Sequence, residues 1–151
     1  MFSRRTALGF LAAVPLALLA RTAAARTPEI YSSDGVALRG YDPVAYFRHG
    51  SPVPGIPQHV LIWRGAVWQF SSAHTLSAFE MNPDAFAPQF GGYCALALAN
   101  GHLAPSDPAA WQIYQGRLYL NHSAAVLSEW ATDIDGNLTR AAAYWPHLLN
   151  S

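Results

Sequence analysis

The chain has 151 residues, with nine basic residues that are all arginine, nine acidic residues, 52% hydrophobic residues and a single cysteine. A domain of this size buries roughly two thirds of its unfolded surface, so it can form a core without disulfides or a structural metal. One cysteine excludes an intramolecular disulfide and the paired thiolates of a closed zinc site, and the charge pattern lacks the basic stripe of a nucleic-acid binder.

Residues 1–25 read as an export signal. They combine the Arg4-Arg5 pair, an apolar run from Leu11 to Ala20 broken only by Pro15, and small residues at Ala23-Ala24-Ala25. The run is too short to span a bilayer comfortably, which argues for a cleaved leader rather than an anchor. Arg4-Arg5 followed by Leu8 is similar to a bacterial twin-arginine signal, with Ala7 where that signal usually carries Phe. Cleavage after Ala25 leaves one domain, 26–151, with six arginines against nine acids and a charge of −3.

Within that domain Asp42-Pro43 predicts the start of a short helix that Gly50 ends, and Ser51 to Pro57 reads as a loop. His59 to Trp63, a turn at Arg64-Gly65, and Ala66 to Phe70 predict a β-hairpin. Ser71-Ser72 then caps a helix whose inner face holds Leu76 and Phe79, and Asn82-Pro83 starts a further helical turn. The scheme recurs: Trp111 to Tyr114, a turn at Gln115-Gly116, Arg117 to Asn121, and a helix capped by Ser123 that carries Val126, Leu127 and Trp130. A shift of 51 superposes Gly65 on Gly116, Ser72 on Ser123 and Phe79 on Trp130, and Asp42-Pro43 and Asp107-Pro108 read as paired Pro-capped segments before each hairpin. The offset fits either an internal duplication or two hairpins that merely share a turn type. Asp133 to Asn137 reads as a turn, and Leu138 to Leu149 as a C-terminal helix. The expected fold is a small α+β domain of antiparallel hairpins with packed short helices.

Several segments resemble one family. Gly40-Tyr41-Asp42-Pro43-Val44-Ala45-Tyr46-Phe47, Trp68 to Ser72, Pro83 to Phe86, Phe90-Gly91-Gly92-Tyr93-Cys94-Ala95 and Gly116 to Asn121 together are similar to the exported bacterial branch of the YHS-domain proteins, over roughly residues 30–147. Asn121-His122-Ser123 resembles the Tyr-His-Ser pattern behind the family name. The metal-handling branch of that family carries thiolates suited to soft metals, and the resemblance places them where this chain has Ala45 and Ser71.

Cys94 is the first chemical candidate, held after two glycines; its alternative is a buried small hydrophobe opening the run Ala95 to Ala99. Of the six histidines none pair at metalloprotease or zinc-finger spacing. His74 follows the first hairpin and His122 the second, so a duplicated unit would bring both near Cys94 as a Cys/His2 set for copper or zinc. Met81 could add a thioether, and Tyr93 stands beside the cysteine. Three functions follow: a periplasmic module that binds or handles copper or zinc, which is preferred; a metal-free module for a small ligand or protein partner; and a thiol-dependent enzyme.

Overall fold

The computed structural model describes residues 25–151, so the expected leader, apart from Ala25, lies outside the described residues. The chain opens with two short strands, β1 (Ser32–Ser33) and β2 (Val36–Ala37), a 3₁₀ turn at Leu38–Gly40, and helix α1 (Ala45–Arg48). Strands β3 (Ile56–Trp63) and β4 (Ala66–Phe70) follow, then α2 (Ala73–Met81) and α3 (Pro83–Phe86). After a second 3₁₀ turn at Gln89–Gly92 come α4 (Ala95–Ala99), β5 (Asp107–Tyr114), β6 (Arg117–Asn121), α5 (Ala124–Ala131) and α6 (Ile134–Tyr144). Two sheets form among the described residues, one ordered β1-β2-β4-β3 and one of β5 and β6, in a single α+β domain.

Local chemistry accounts for the hairpins. Arg64-Gly65 and Gln115-Gly116 both turn through positive φ, 47° and 77° in the first and 49° and 74° in the second, as the right-handed twist of two-residue hairpins requires. Alternation in β4 turns Ala66, Trp68 and Phe70 inward, where Trp68 and Phe79 sit fully buried with ring centroids 5.1 Å apart. Full burial of each such side chain stabilises by about 1.5–3 kcal/mol. Leu118 and Leu120 of β6 join the same core, which ties the two hairpins together. A second cluster gathers Cys94, Leu96, Tyr119 and Trp130 under α4 and α5.

The offset of 51 is a structural repeat. β3 and β5 start at Ile56 and Asp107, β4 and β6 at Ala66 and Arg117, α2 and α5 at Ala73 and Ala124. Both hairpins shift register at the same place, between Ile56 and Val60 and between Asp107 and Trp111. Ser72 accepts the Thr75 N–H and Ser123 accepts the Val126 N–H. The repeat also reaches further back than the hairpins. Leu38, Arg39 and Gly40 have φ of 52°, 48° and 84°, and Phe90, Gly91 and Gly92 have 56°, 63° and 82°. Each run leads through an extended tyrosine, Tyr41 or Tyr93, into a short helix. The residue after that tyrosine is Asp42 in one copy and Cys94 in the other, and its backbone N–H binds a carbonyl of the following loop in both, Val53 at 2.8 Å and Ala104 at 3.0 Å.

Four expectations change. Asp107-Pro108 does not match Asp42-Pro43; it lies inside β5, where Pro108 corresponds to Pro57 in β3. The loop expected up to Pro57 therefore ends at Gly55. The larger sheet is mixed, because β2 meets β4 in parallel at Val36 and Val67. The last helix starts at Ile134 and ends at Tyr144, since Asp133 caps it by accepting the Gly136 N–H and the expected turn becomes its first turn.

Candidate functional site

Asp42 and Cys94 are the anchor residues of the two copies. Asp42 is fully buried and accepts three hydrogen bonds: Oδ1 from Val44 N at 2.9 Å, and Oδ2 from Ser71 N at 2.8 Å and Ser71 Oγ at 2.7 Å. Its charge is thereby held by donors, as a buried carboxylate requires. Cys94 cannot take over this work, because a thiol is a poor acceptor. In the second copy Asn121 Oδ1 accepts the Leu96 N–H at 3.0 Å, and the Cys94 thiol points to the same oxygen at 3.7 Å. Asn121 is fully buried, and its Nδ2 has no hydrogen-bond partner among the described residues.

Cys94 is 1% exposed as a residue, yet it lines an open cavity of about 300 Å³ between α4, α5 and the loop leading to β5. Leu96, Ala97, Ala104 and Val126 form apolar walls, while His102, His122, Asn100 and Glu129 supply polar groups. The sequence Asn121-His122-Ser123 builds this region at the end of β6. Asn121 braces α4 and the thiol, His122 lines the cavity, and Ser123 caps α5. His122 Nδ1 lies 3.0 Å from the Pro105 carbonyl oxygen. A carbonyl can only accept, so Nδ1 carries the proton and Nε2 keeps a free lone pair in the neutral ring.

The expected Cys94, His74 and His122 set does not assemble. His74 stands at the start of α2, outside the cavity, and Arg48 Nη1 donates to its Nε2 at 2.6 Å. A guanidinium has no acceptor, so the lone pair that a metal would need is already in use. No three His, Cys, Asp or Glu side chains are gathered around a metal-sized point among the described residues. Met81 is 86% exposed at the end of α2 and joins neither core nor cavity. Tyr93 is buried, and its hydroxyl donates to the Pro28 carbonyl at 2.8 Å, pinning the N-terminal segment; burial, and then the neighbouring Tyr31, raise its pKa above the ordinary phenol value. Ala45 is fully buried without a donor atom, and the Ser71 hydroxyl is committed to Asp42, so the positions that the resemblance would fill with thiolates do not fit a soft metal.

His102 and Glu129 escape the sequence reading. Glu129 had a signal, since it lies three residues after Val126 on the same helical face. His102 follows the end of α4, where Gly101 turns with φ of 85° and only the fold brings the side chain to the cavity.

A second cleft of about 220 Å³ joins the two copies and is lined by Glu29, Arg64, Asp84 and Arg117. Arg64 is already shared between Glu29 at 2.8 Å and Asp84 at 3.2 Å, and it lies 4.4 Å from the Trp63 ring centroid. These contacts join the segment just before β1 to the first hairpin turn and α3. The pairs are half-exposed, so each contributes little, about 0–1 kcal/mol.

Among the described residues no helix is long and apolar enough to cross a membrane. Comparison with models of protein families, with curated proteins and with solved structures finds no match to this chain.

Proposed function

We propose that the chain is an exported YHS-like module, delivered to the periplasm by a twin-arginine-type signal, that binds a small ligand in the cavity between α4 and α5. One observation carries this reading: the only thiol of the chain, two histidines and a carboxylate share one cavity whose walls are apolar. Apolar walls with few polar groups are the usual composition of a small-molecule site. Titration with a neutral apolar probe such as indole, followed by amide NMR, tests it. The expected shifts centre on Leu96, Ala97 and Val126; shifts confined to other regions, or none at millimolar probe, overturn the reading.

A second reading is that the same cavity takes copper or zinc. It is supported by the His122 tautomer, because a ring that donates one N–H to a carbonyl presents the other nitrogen as a ligand. Zinc uses three or four protein ligands, so within this reading Cu(I) on the Cys94 thiolate and His122 is the better match. Competition titration of Cu(I) and Zn(II) decides it, with Cys94→Ala and His122→Ala as controls. Equal affinity in wild type and both variants overturns it.

A further inference from the structure

We propose that the outer face of the β1-β2-β4-β3 sheet docks a second copy of this chain, face to face across a two-fold axis, as a weak and reversible dimer. None of the residues involved lines the cavity between α4 and α5, so the proposal stands apart from the ligand reading.

Alternation gives the sheet two faces. Ala66, Trp68 and Phe70 of β4 turn into the core, and Leu61 and Trp63 of β3 pack against it. Val67 and Gln69 of β4 and Val60 and Ile62 of β3 therefore point the other way, and Val36 joins them from β2, where its neighbour Ala37 is the buried one. Strand register sets Val36 beside Val67 and Val67 beside Ile62, which makes one apolar row across three strands. Ile62 is 75% exposed and Val60 44%. β3 is also an edge of the sheet, and Ile56 to Trp63 contains no arginine, aspartate or glutamate to guard it.

The internal repeat shows what such a face does when a neighbour is present. An offset of 51 takes Val60, Ile62, Val67 and Gln69 to Trp111, Ile113, Leu118 and Leu120. Leu118 and Leu120 are fully buried in the core that also holds Trp68, Phe70 and Phe79 of the first copy, with Trp111 and Ile113 packed against it. The outer face of the second copy is thus a surface between repeats. In the first copy three of the four matched positions stay apolar, yet among the described residues nothing covers Ile62.

Charge selects the second copy as the occupant. Arg39 and Asp34 line one shallow pocket beside Val36 and Gln69, and neither has an ion-pair partner among the described residues. One cation and one anion next to an apolar row form a self-complementary set, because a two-fold axis sets Arg39 of each protomer against Asp34 of the other. Neither sign dominates, so the patch offers no steering field for an anionic lipid surface. A face four strands wide and about five residues long has a footprint of about 300 Å². That is well below the roughly 800 Å² per partner of a stable complex, which makes the dimer a transient one.

Sedimentation velocity of the purified chain from about 10 μM to about 1 mM tests the proposal. A monomer is expected at the low end and a rising dimer fraction at the high end, with concentration-dependent amide shifts centred on Val36, Ile62 and Val67. Ile62→Glu, at an exposed position where folding tolerates the change, should weaken association by about tenfold or more. Arg39→Asp and Asp34→Arg should each weaken it alone, because like charges then face each other. An equimolar mixture of these two variants should regain wild-type association, because both pairs are then opposite in sign. The rescue arises between separately folded chains, so a folding defect cannot produce it. A chain that stays monomeric at the highest concentration overturns the proposal, and so does a dimer that Ile62→Glu leaves unchanged or a mixture no more associated than its components. Binding to phosphatidylglycerol vesicles by a chain that remains monomeric would assign the face to a lipid surface and overturn it equally.

Discussion

The Cys94 thiol and the Leu96 N–H converge on one oxygen, Asn121 Oδ1, at 3.7 and 3.0 Å. A single carboxamide at the end of β6 therefore fixes the start of α4 and orients the only sulfhydryl of the chain. Asn121→Ala leaves the Leu96 N–H buried and unpaired, at a cost of about 1–3 kcal/mol in chemical denaturation. Adding Cys94→Asp to that variant should recover part of the loss, because an aspartate there can bind the N–H as Asp42 binds Val44. A double variant no more stable than Asn121→Ala alone would show that the two anchor positions are not interchangeable.

Asp42 is the heaviest polar commitment of the first copy. Asp42→Ala strips partners from Val44 N, Ser71 N and Ser71 Oγ together, and should lower unfolding free energy by about 3 kcal/mol or more. Ser71→Ala removes one hydroxyl and should cost about 1 kcal/mol. Urea titrations of the two variants compare them directly; equal losses would contradict the assigned roles.

Gly91 is a backbone site for substitution. Its φ of 63° belongs to the left-handed region, and a Cβ there would run into the Glu29 carbonyl. Gly91→Ala should displace the segment around Glu29 and break the Tyr31 N–H bond to the Gly91 carbonyl, 2.9 Å long. Hydrogen exchange at Tyr31 should speed up, while protection in β4 stays close to wild type.

Alkaline pH should destabilise the domain in a way that Tyr46 dominates. Burial, followed by the nearby Tyr41, Asp107 and Asp42, raises its pKa far above the ordinary phenol value, and its hydroxyl donates to the Pro108 carbonyl at 2.8 Å. A raised folded pKa gives stability that is complete below the unfolded phenol value of about 10 and falls above it, because the unfolded chain releases the proton first. Tyr93 and Tyr119, also raised by burial, act in the same direction. Tyr46→Phe should flatten the fall in denaturation midpoint between pH 9 and 11; an unchanged slope would rule Tyr46 out as its main source.

The two histidines that follow the hairpins should behave differently. His74→Ala removes a contact with Arg48 outside the cavity, so probe binding near Val126 should stay at its wild-type affinity. His122→Ala alters a lining residue and should shift that affinity by about threefold or more, as loss of a hydrogen bond of roughly 1 kcal/mol implies. Matching isotherms for the two variants would remove His122 from the site.

Much of the scaffold is legible in the sequence because its signals are local. Gly65 and Gly116 mark the hairpin turns and Ser72 and Ser123 mark the helix starts, while their common spacing of 51 fits a repeat without separating it from two hairpins that share a turn type. Relations that rest on tertiary geometry are not legible. Asp42 and Cys94 share a backbone setting, not a side-chain type, and the left-handed run before Asp42 uses Leu38 and Arg39 where the second copy has Phe90 and Gly91. His74 looks equivalent to a site residue until the fold brings Arg48 against it. Gly136 reads as a helix breaker, yet Asp133 uses its N–H to start α6.

The repeated plan gives the molecule a built-in reference. Asp42 and Cys94, Ser71 and His122, and Ser72 and Ser123 are matched positions within one chain. A change in temperature, pH or added reagent reaches both members of each pair at the same concentration and in the same sample. Signals that move together report on the shared scaffold, and a signal that moves only near Cys94 reports on its chemistry.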